Sequence, residues 1–172
     1  FHIPVTNTIL ARSPTEAMMI ATQLGFPVAL KIDSPDVSHK SDVQGVALNI
    51  MSGASARDIY TDMVQRVTQL LPQARINGVT VQKMARASRG REICIGLVTD
   101  DPSGPVITFG AGGTTVEVMG DRAVALPPLN SFLVKDLIRG TRVSKMLPAF
   151  RHMPAVDLAA LESVLLRVSE MV

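Results

Sequence analysis

The chain has 172 residues, 47% of them hydrophobic and 19% charged, a balance that indicates a packed globular core rather than a disordered segment. A formal net charge of +2 and an aromatic content of 3% argue against a nucleic-acid partner, because base-stacking modules need exposed rings and basic patches. One cysteine excludes an internal disulfide and a cysteine-based zinc site, and the lack of long apolar runs predicts a cytoplasmic protein without a membrane partner.

The first half of the chain predicts the order strand, helix, strand, strand, helix, strand, which is typical of an α+β unit. The predicted strands are residues 5–10, 27–32, 45–50 and 78–84, and the predicted helices are 14–24 and 55–71. Ser13 is a suitable N-cap for the first helix, with Pro14 at its first position and Glu16 as a capping-box partner. Gly25 closes this helix. The second helix has a predicted apolar face of Ile59, Met63, Val67 and Leu70.

Short strands with turn-rich joints follow in the second half, and they favour an antiparallel sheet. The predicted strands are residues 92–99, 106–109, 115–119 and 123–126. Two helices complete the chain, one with an apolar face of Leu133, Leu137 and Ile138 and one at 156–171. We expect two lobes, residues 1–84 and 85–172. Cys94 lies in an apolar strand without an obvious base, so it is predicted to be a core residue rather than a nucleophile.

Lys31 lies inside an apolar strand, between Leu30 and Ile32. An ammonium group that faced a core would suffer a large desolvation penalty, so the side chain must reach a partner or solvent. A place on the solvent face of the strand would explain this lysine without any function. The alternative is a strand lysine that binds nucleotide phosphate.

A polar loop, SPDVSHKSDVQGV at residues 34–46, groups serine, aspartate, lysine and histidine ahead of a glycine. Gly45 would let the backbone approach a ligand closely. His39 could take a phosphoryl group, because imidazole is a competent nucleophile. Taken alone, the same composition is also that of a solvated loop.

A glycine-rich run, TFGAGGTTVEV at residues 108–118, follows an apolar strand. Backbone amides at Gly112 and Gly113 could cradle phosphate, and Glu117 could help to hold Mg²⁺. The run is not a Walker loop, since no lysine follows its glycines, and it is not a Rossmann fingerprint, since no helix is predicted after it. A glycine-rich hairpin without a ligand is the alternative.

Taken together, these phrases resemble the ATP-grasp domain of NDP-forming acyl-CoA synthetases. The resemblance is carried by FPVALKIDSPDVSHKSDVQGVALNI at 26–50, GVTVQKM at 78–84, REICIGLVTDDPSGPVITFGAGGTTVEVMGD at 91–121 and ALPPLN at 125–130. The wording VQGV and LPPLN looks closest to Pat-type protein lysine acetyltransferases, in which a synthetase-like region precedes a GNAT domain. The resemblance as a whole implies an α+β ATP-grasp fold with a nucleotide cleft between two lobes.

The resemblance also implies roles for individual residues. Lys31 would contact the phosphates of ATP or ADP, and His39 would carry a phosphoryl group. Gln82 and Met84 would lie in a hinge that meets the adenine, and Glu92 would contact the nucleotide. The phosphate-covering loops would supply Ser34, Lys40, Ser41, Gly45, Gly112 and Gly113. Glu117 would contribute to Mg²⁺ binding.

Two departures from the family pattern lie in these loops. The family commonly has two glycines where this chain has Gln44 and Gly45, and it usually reads DP-x-FGP where this chain has DPSGP. The motif resembling DINPL, which supplies the main magnesium-binding residues, is expected beyond Val172. We therefore expect a fold truncated at its C-terminus, and a segment that is inactive by itself.

Three functional interpretations follow. The favoured one is a regulatory or vestigial nucleotide-binding region in a lysine acetyltransferase, with CoA or acyl-CoA bound by other domains of the parent chain. The second is part of an active synthetase that makes ATP from acyl-CoA, ADP and phosphate through a phosphohistidine. The third is a packing module without a ligand, against which Lys31, His39 and Glu117 argue.

Overall fold

The computed structural model describes residues 1–85, 90–100, 104–113 and 120–172. The chain divides into two compact units. We call Val5–Arg86 the N-terminal unit, and Ala87–Val172 together with Phe1–Pro4 the C-terminal unit. Glu117 and the predicted strand 115–119 lie outside the described residues.

The N-terminal unit is a four-stranded antiparallel sheet with two helices. Its elements in chain order are β1 (Thr8–Ala11), α1 (Pro14–Leu24), β2 (Val28–Asp33), β3 (Val46–Ile50), α2 (Gly53–Leu70) and β4 (Gly78–Lys83). The strand order in the sheet is β1-β4-β2-β3. The predicted sequence of elements is confirmed, although the first strand begins three residues later than predicted.

Helix α1 begins and ends at the predicted caps. The Ser13 hydroxyl accepts a hydrogen bond from the amide of Glu16 at 3.1 Å, which satisfies one of the free amides at the helix start. Gly25, at φ 75°, ends the helix and donates its amide to Ala21. The Glu16 carboxylate accepts from the amide of Arg12 at 2.7 Å. In the predicted capping box, the Glu16 carboxylate would instead have accepted from the amide of Ser13.

One face of the sheet and the two helices form the core of the N-terminal unit. The stripe of α2 that is buried there consists of Ala56, Tyr60, Met63 and Val67. Leu70 was predicted to extend this stripe, but 53% of it is exposed. This prediction is wrong because Leu70 lies in the last turn of α2, where the stripe is no longer covered.

The C-terminal unit is a three-stranded antiparallel sheet followed by helices. Its elements are β5 (Ile93–Asp100), β6 (Gly104–Ala111), β7 (Arg122–Ala125), α3 (Ser131–Arg139), a 3-10 helix (Val143–Met146) and α4 (Leu158–Ser169). Ile107 and Phe109 of β6 are fully buried in a cluster with residues of α3 and α4.

Two predicted core positions of this unit are wrong by one residue. Val134 is fully buried where Leu133 was expected, because Val134, Leu137 and Ile138 have the i, i+3, i+4 spacing of the helix face that packs on the core. Cys94 is exposed. Its neighbours Ile93 and Ile95 pack against the core, so the alternation of the strand points Cys94 to the opposite face.

Among the helices in the described ranges, none combines the length and the apolar character that crossing a membrane requires.

Candidate functional site

Lys31 lies on the face of the N-terminal sheet that the helices leave uncovered. Its β2 neighbours Leu30 and Ile32 are fully buried in the core formed with α1 and α2. Side chains alternate along a strand, so the half-buried Lys31 points away from that core. The ammonium group therefore avoids the desolvation penalty that a position facing the core would impose.

A direct partner holds the Lys31 ammonium group. Its Nζ donates to Oε1 of Gln82 in β4 at 2.7 Å. The amide nitrogen of Gln82 donates in turn to the hydroxyl of Thr6. The hydroxyl of Thr80, which is paired with Lys31 across the two strands, donates to the Lys31 carbonyl at 3.2 Å. Lys31 and Gln82 are thus brought together, although the sequence predicted them as separate contacts.

The predicted adenine hinge, Gln82 to Met84, is tied into the sheet. The amide of Lys83 donates to the carbonyl of Asn7 and the amide of Met84 to that of Pro27, each at 3.1 Å. The sulfur of Met84 accepts from the amide of Asn49 at 3.2 Å. The hinge therefore has a fixed backbone, and its contact with adenine stays a prediction.

The loop from Ser34 to Gly45 is anchored at its start. Val37 is buried in the core of the unit with 5% exposure. The Asp36 carboxylate accepts from the amide, Nε and Nη2 of Arg75 at 2.8, 3.1 and 3.0 Å. The hydroxyl of Ser34 accepts from the amide of Asp36 at 3.1 Å. Ser34, a predicted phosphate contact, therefore serves here as a turn-forming residue.

The end of this loop is closed by its own backbone. The amide of Gly45 donates to the carbonyl of Lys40 at 2.7 Å, and the amide of Asp42 donates to that of His39 at 3.2 Å. His39 and Ser41 are exposed, and Lys40 is half-buried. Anchoring on both sides leaves His39 at an exposed position of an otherwise fixed loop.

The departure from the family at Gln44 has a local consequence. Gln44 has φ 53°, in the left-handed region that glycine adopts without strain. A Cβ atom at Gly45 would lie 2.5 Å from Cγ2 of Ile32, so this position has no room for a side chain. Two successive glycines would suit both positions, which gives the family pattern a physical reason.

The Asp36–Arg75 pair predicts a pH dependence of stability. The side-chain hydrogen bond from Arg75 is the main cause that lowers the pKa of Asp36 from 3.8 to about 2. A lowered folded-state pKa contributes stability above pH 3.8, and this contribution is lost as the pH falls toward 2. Asp36→Asn should therefore lower the urea midpoint at neutral pH, and the difference from the unsubstituted protein should shrink below pH 4. A difference that stays constant across that range, measured by urea unfolding, would contradict the role of the pair.

Three predicted site residues of the C-terminal unit lie together. The amide of Gly112 donates to the carbonyl of Glu92 at 2.8 Å. A Cβ atom at Gly112 would lie 2.8 to 2.9 Å from backbone atoms of Glu92 and Ile93. Gly113 has φ 90°, and a Cβ atom there would lie 2.6 Å from Oε2 of Glu92. Gly112 is required for this close approach of the backbone and Gly113 for its positive φ, and the arrangement places a carboxylate directly beside the turn.

Arg91 secures the start of β5 next to Glu92. Its guanidinium group donates to the carbonyls of Met146, Pro148 and Pro154 at 2.8, 3.0 and 2.6 Å. This contact was not predicted, and neither were the contacts of Thr6 and Arg75. Their partners are distant in sequence, so no local pattern indicates these contacts.

The described part of the chain contains no metal site formed by three or more histidine, cysteine or acidic side chains. Glu117, the predicted Mg²⁺ ligand, lies outside those residues. Mg²⁺ binding therefore stays a prediction.

Comparison with known proteins gives a consistent result over the full length. A family model described as an ATP-grasp domain matches residues 1–172. The chain is 38% identical over 171 residues to ADP-forming acetate–CoA ligase I of Archaeoglobus fulgidus, and spans 99% of its own length but 24% of that relative. It is 32% identical to the beta subunit of ADP-forming acetate–CoA ligase I of Pyrococcus furiosus, of which it spans 73%.

A solved structure with the same fold is that of the dinucleotide-forming acetyl-coenzyme A synthetase 1 of Ca. Korarchaeum cryptofilum, in complex with coenzyme A, Ca-AMPCP and HgCl⁺. The TM-score is 0.91 at 40% sequence identity, and the match covers 98% of this chain and 73% of that one. The mixed α/β architecture predicted from the sequence is thereby confirmed.

Proposed function

Because the chain belongs to the ATP-grasp domain family, we propose that it binds ATP or ADP as the nucleotide-binding segment of an ADP-forming acyl-CoA ligase. The reaction would convert acyl-CoA, ADP and phosphate to the free acid, CoA and ATP. His39 would carry the phosphoryl group between the acyl phosphate and ADP.

The observation that carries this proposal is the position of Lys31. Its ammonium group lies on the sheet face opposite α1 and α2, and among the described residues it is held by Gln82 rather than by a carboxylate. The side-chain partner of Lys31 within the described residues is the amide oxygen of Gln82, which carries no net charge. The positive charge of Lys31 is therefore not neutralised by this partner and can still attract phosphate. The strand continues directly into the loop that carries His39.

In the loop, the side chains of Lys40 and Ser41 would contact the phosphates. The amides of Gly45 and Gly112 already donate to Lys40 and Glu92, so the phosphate contacts predicted for these glycines, and for Ser34, Glu92 and Gly113, stay predictions. Mg²⁺, held in part by Glu117, would neutralise phosphate charge. CoA and acyl-CoA would bind to other domains of the parent protein, such as a CoA-binding domain.

The named relatives favour the ligase over the acetyltransferase. The wording VQGV and LPPLN suggested a Pat-type parent with a GNAT domain, and that parent stays a prediction. The two relatives named above are CoA ligases, so the synthetase that was the second interpretation is the better supported one.

Calorimetric titration tests the nucleotide-binding part of the proposal. The protein produced from its complete reading frame should bind ADP and ATP in the presence of Mg²⁺, and bind adenosine more weakly, because the phosphates supply most of the electrostatic contacts. The affinity for both nucleotides should fall when EDTA removes the metal. An absence of measurable binding of either nucleotide, with and without Mg²⁺, would refute the proposal.

A further inference from the structure

The residues around Gln82 place its amide oxygen, Oε1, next to the Lys31 ammonium group. In the pairing of β2 with β4, Ala29 is opposite Gln82 and Lys31 is opposite Thr80. Gln82 and Lys31 are therefore diagonal neighbours on one face of the sheet, a separation that long side chains can bridge. The small side chain of Ala29 leaves the space through which the glutamine reaches the lysine.

Lys31 determines which end of the Gln82 amide faces it, and Thr6 holds the other end. The amide nitrogen of Gln82 donates to the Thr6 hydroxyl, so the amide oxygen is turned toward Lys31 and accepts from its Nζ at 2.7 Å. A flipped amide would present a donor to the ammonium group, and lysine has no acceptor. The two hydrogen bonds therefore select one orientation, and Thr6, Gln82 and Lys31 form a chain across β4 and β2.

An acceptor without charge suits a lysine that must bind phosphate. A long aliphatic side chain loses much rotational freedom when it is fixed, and a partner that fixes it beforehand removes that cost from ligand binding. A carboxylate at position 82 would fix the amine as well, but its negative charge would compete with the phosphates. A glutamine fixes the ammonium group and leaves its charge available.

From this arrangement we infer that Gln82 is a positioning residue of the nucleotide site, which holds the Lys31 ammonium group in place for phosphate, with Thr6 holding the nitrogen end of the Gln82 amide. The inference rests on the proposed function. It assigns to the Gln82 side chain a role separate from the adenine contact that the sequence predicted for this part of β4.

The variant Gln82→Met tests this role, because it keeps the length of the side chain and removes the acceptor. In the full-length protein with Mg²⁺, its affinity for ADP should fall about fivefold, the effect of one hydrogen bond, while that for adenosine stays unchanged. Thr6→Val should lower the affinity for ADP in the same direction by a smaller factor, since the nitrogen end of the amide then loses its partner and the glutamine is held less firmly. Thermal unfolding of both variants shows whether the fold is retained.

A double-substitution cycle separates positioning from a general structural effect. If Gln82 acts through Lys31, Gln82→Met should have no further effect on ADP affinity in a Lys31→Met background. An equal loss of affinity in both backgrounds, or an unchanged ADP affinity in Gln82→Met and Thr6→Val, would overturn the inference.

The outcome also distinguishes this inference from the proposed function. If the unsubstituted protein binds ADP and Lys31→Met weakens that binding while Gln82→Met does not, only the inference about Gln82 fails. If the unsubstituted protein binds no nucleotide, both fail together.

Discussion

Replacing Lys31 with methionine should lower the affinity for ADP and ATP by roughly 10- to 100-fold, the effect of losing a charge-assisted hydrogen bond to phosphate. Methionine keeps most of the aliphatic length and cannot donate a hydrogen bond or carry a charge. The affinity for adenosine should be unchanged, because that ligand has no phosphate for the ammonium group to bind. Calorimetric titration of the full-length protein with each ligand measures both quantities.

Lys83 supplies a matched control in the same unit. Its Nζ donates to the carbonyls of Gly25 at 2.7 Å and Phe26 at 3.4 Å, so it stabilises the C-terminal end of α1. Lys83 lies in the predicted adenine hinge, but Lys83→Met keeps the hinge backbone and its hydrogen bond to Asn7, so it should lower the unfolding temperature and leave the affinity for ADP unchanged. Equal losses of ADP affinity in the two lysine variants would indicate that general charge, rather than the position of Lys31, attracts the nucleotide.

Local signals explain why most of the fold could be predicted. The caps of α1 depend on Ser13, Pro14 and Gly25, which act on the few residues beside them. Such interactions are encoded within one turn of a helix, so the sequence displays them directly. The apolar neighbours of Lys31 in β2 likewise indicated that its side chain must reach a partner or solvent, and the structure supplies Gln82.

The partners in the site could not be predicted, because they depend on strand register. Gln82 is 51 residues from Lys31 and 76 residues from Thr6, and Arg75 is 39 residues from Asp36. The sequence indicates which segments are strands, but not which residues of two strands lie opposite each other. Only the register of β2 with β4 makes the amide of Gln82 a neighbour of the lysine.

Cys94 illustrates a further limit, which concerns the two faces of a sheet. The run around it, ICIGLV, is apolar throughout, and such a run does not reveal which of its residues face the core. The core cluster contains Ile93 and Ile95, and the resulting alternation exposes the thiol. Packing of the helices on one face decides this outcome, and that packing is a long-range property.

His39 is the residue whose replacement should have the largest effect on catalysis. In the proposed reaction, read in the direction of ATP consumption, an imidazole nitrogen attacks the γ-phosphorus of ATP, the bond to the bridging oxygen breaks and ADP leaves. Without the nucleophile this step has no substitute, so His39→Ala should lower phosphorylation of the protein by ATP, and the ligase reaction, by roughly 1000-fold or more. Labelling with ATP carrying a radioactive γ-phosphate measures the first, and formation of ATP from acyl-CoA, ADP and phosphate measures the second.

The exposure of His39 makes this variant a clean test. The backbone carbonyl of His39 accepts from the amide of Asp42, and this bond does not involve the imidazole, so alanine leaves it intact. The affinity for ADP should therefore be unchanged, and His152→Ala, which replaces another exposed histidine, should retain full labelling. A phosphoryl group on nitrogen should be lost in acid and retained in alkali. Undiminished acid-labile labelling of His39→Ala would place the phosphoryl group on another residue, and the ligase would then have to work without this loop as its carrier.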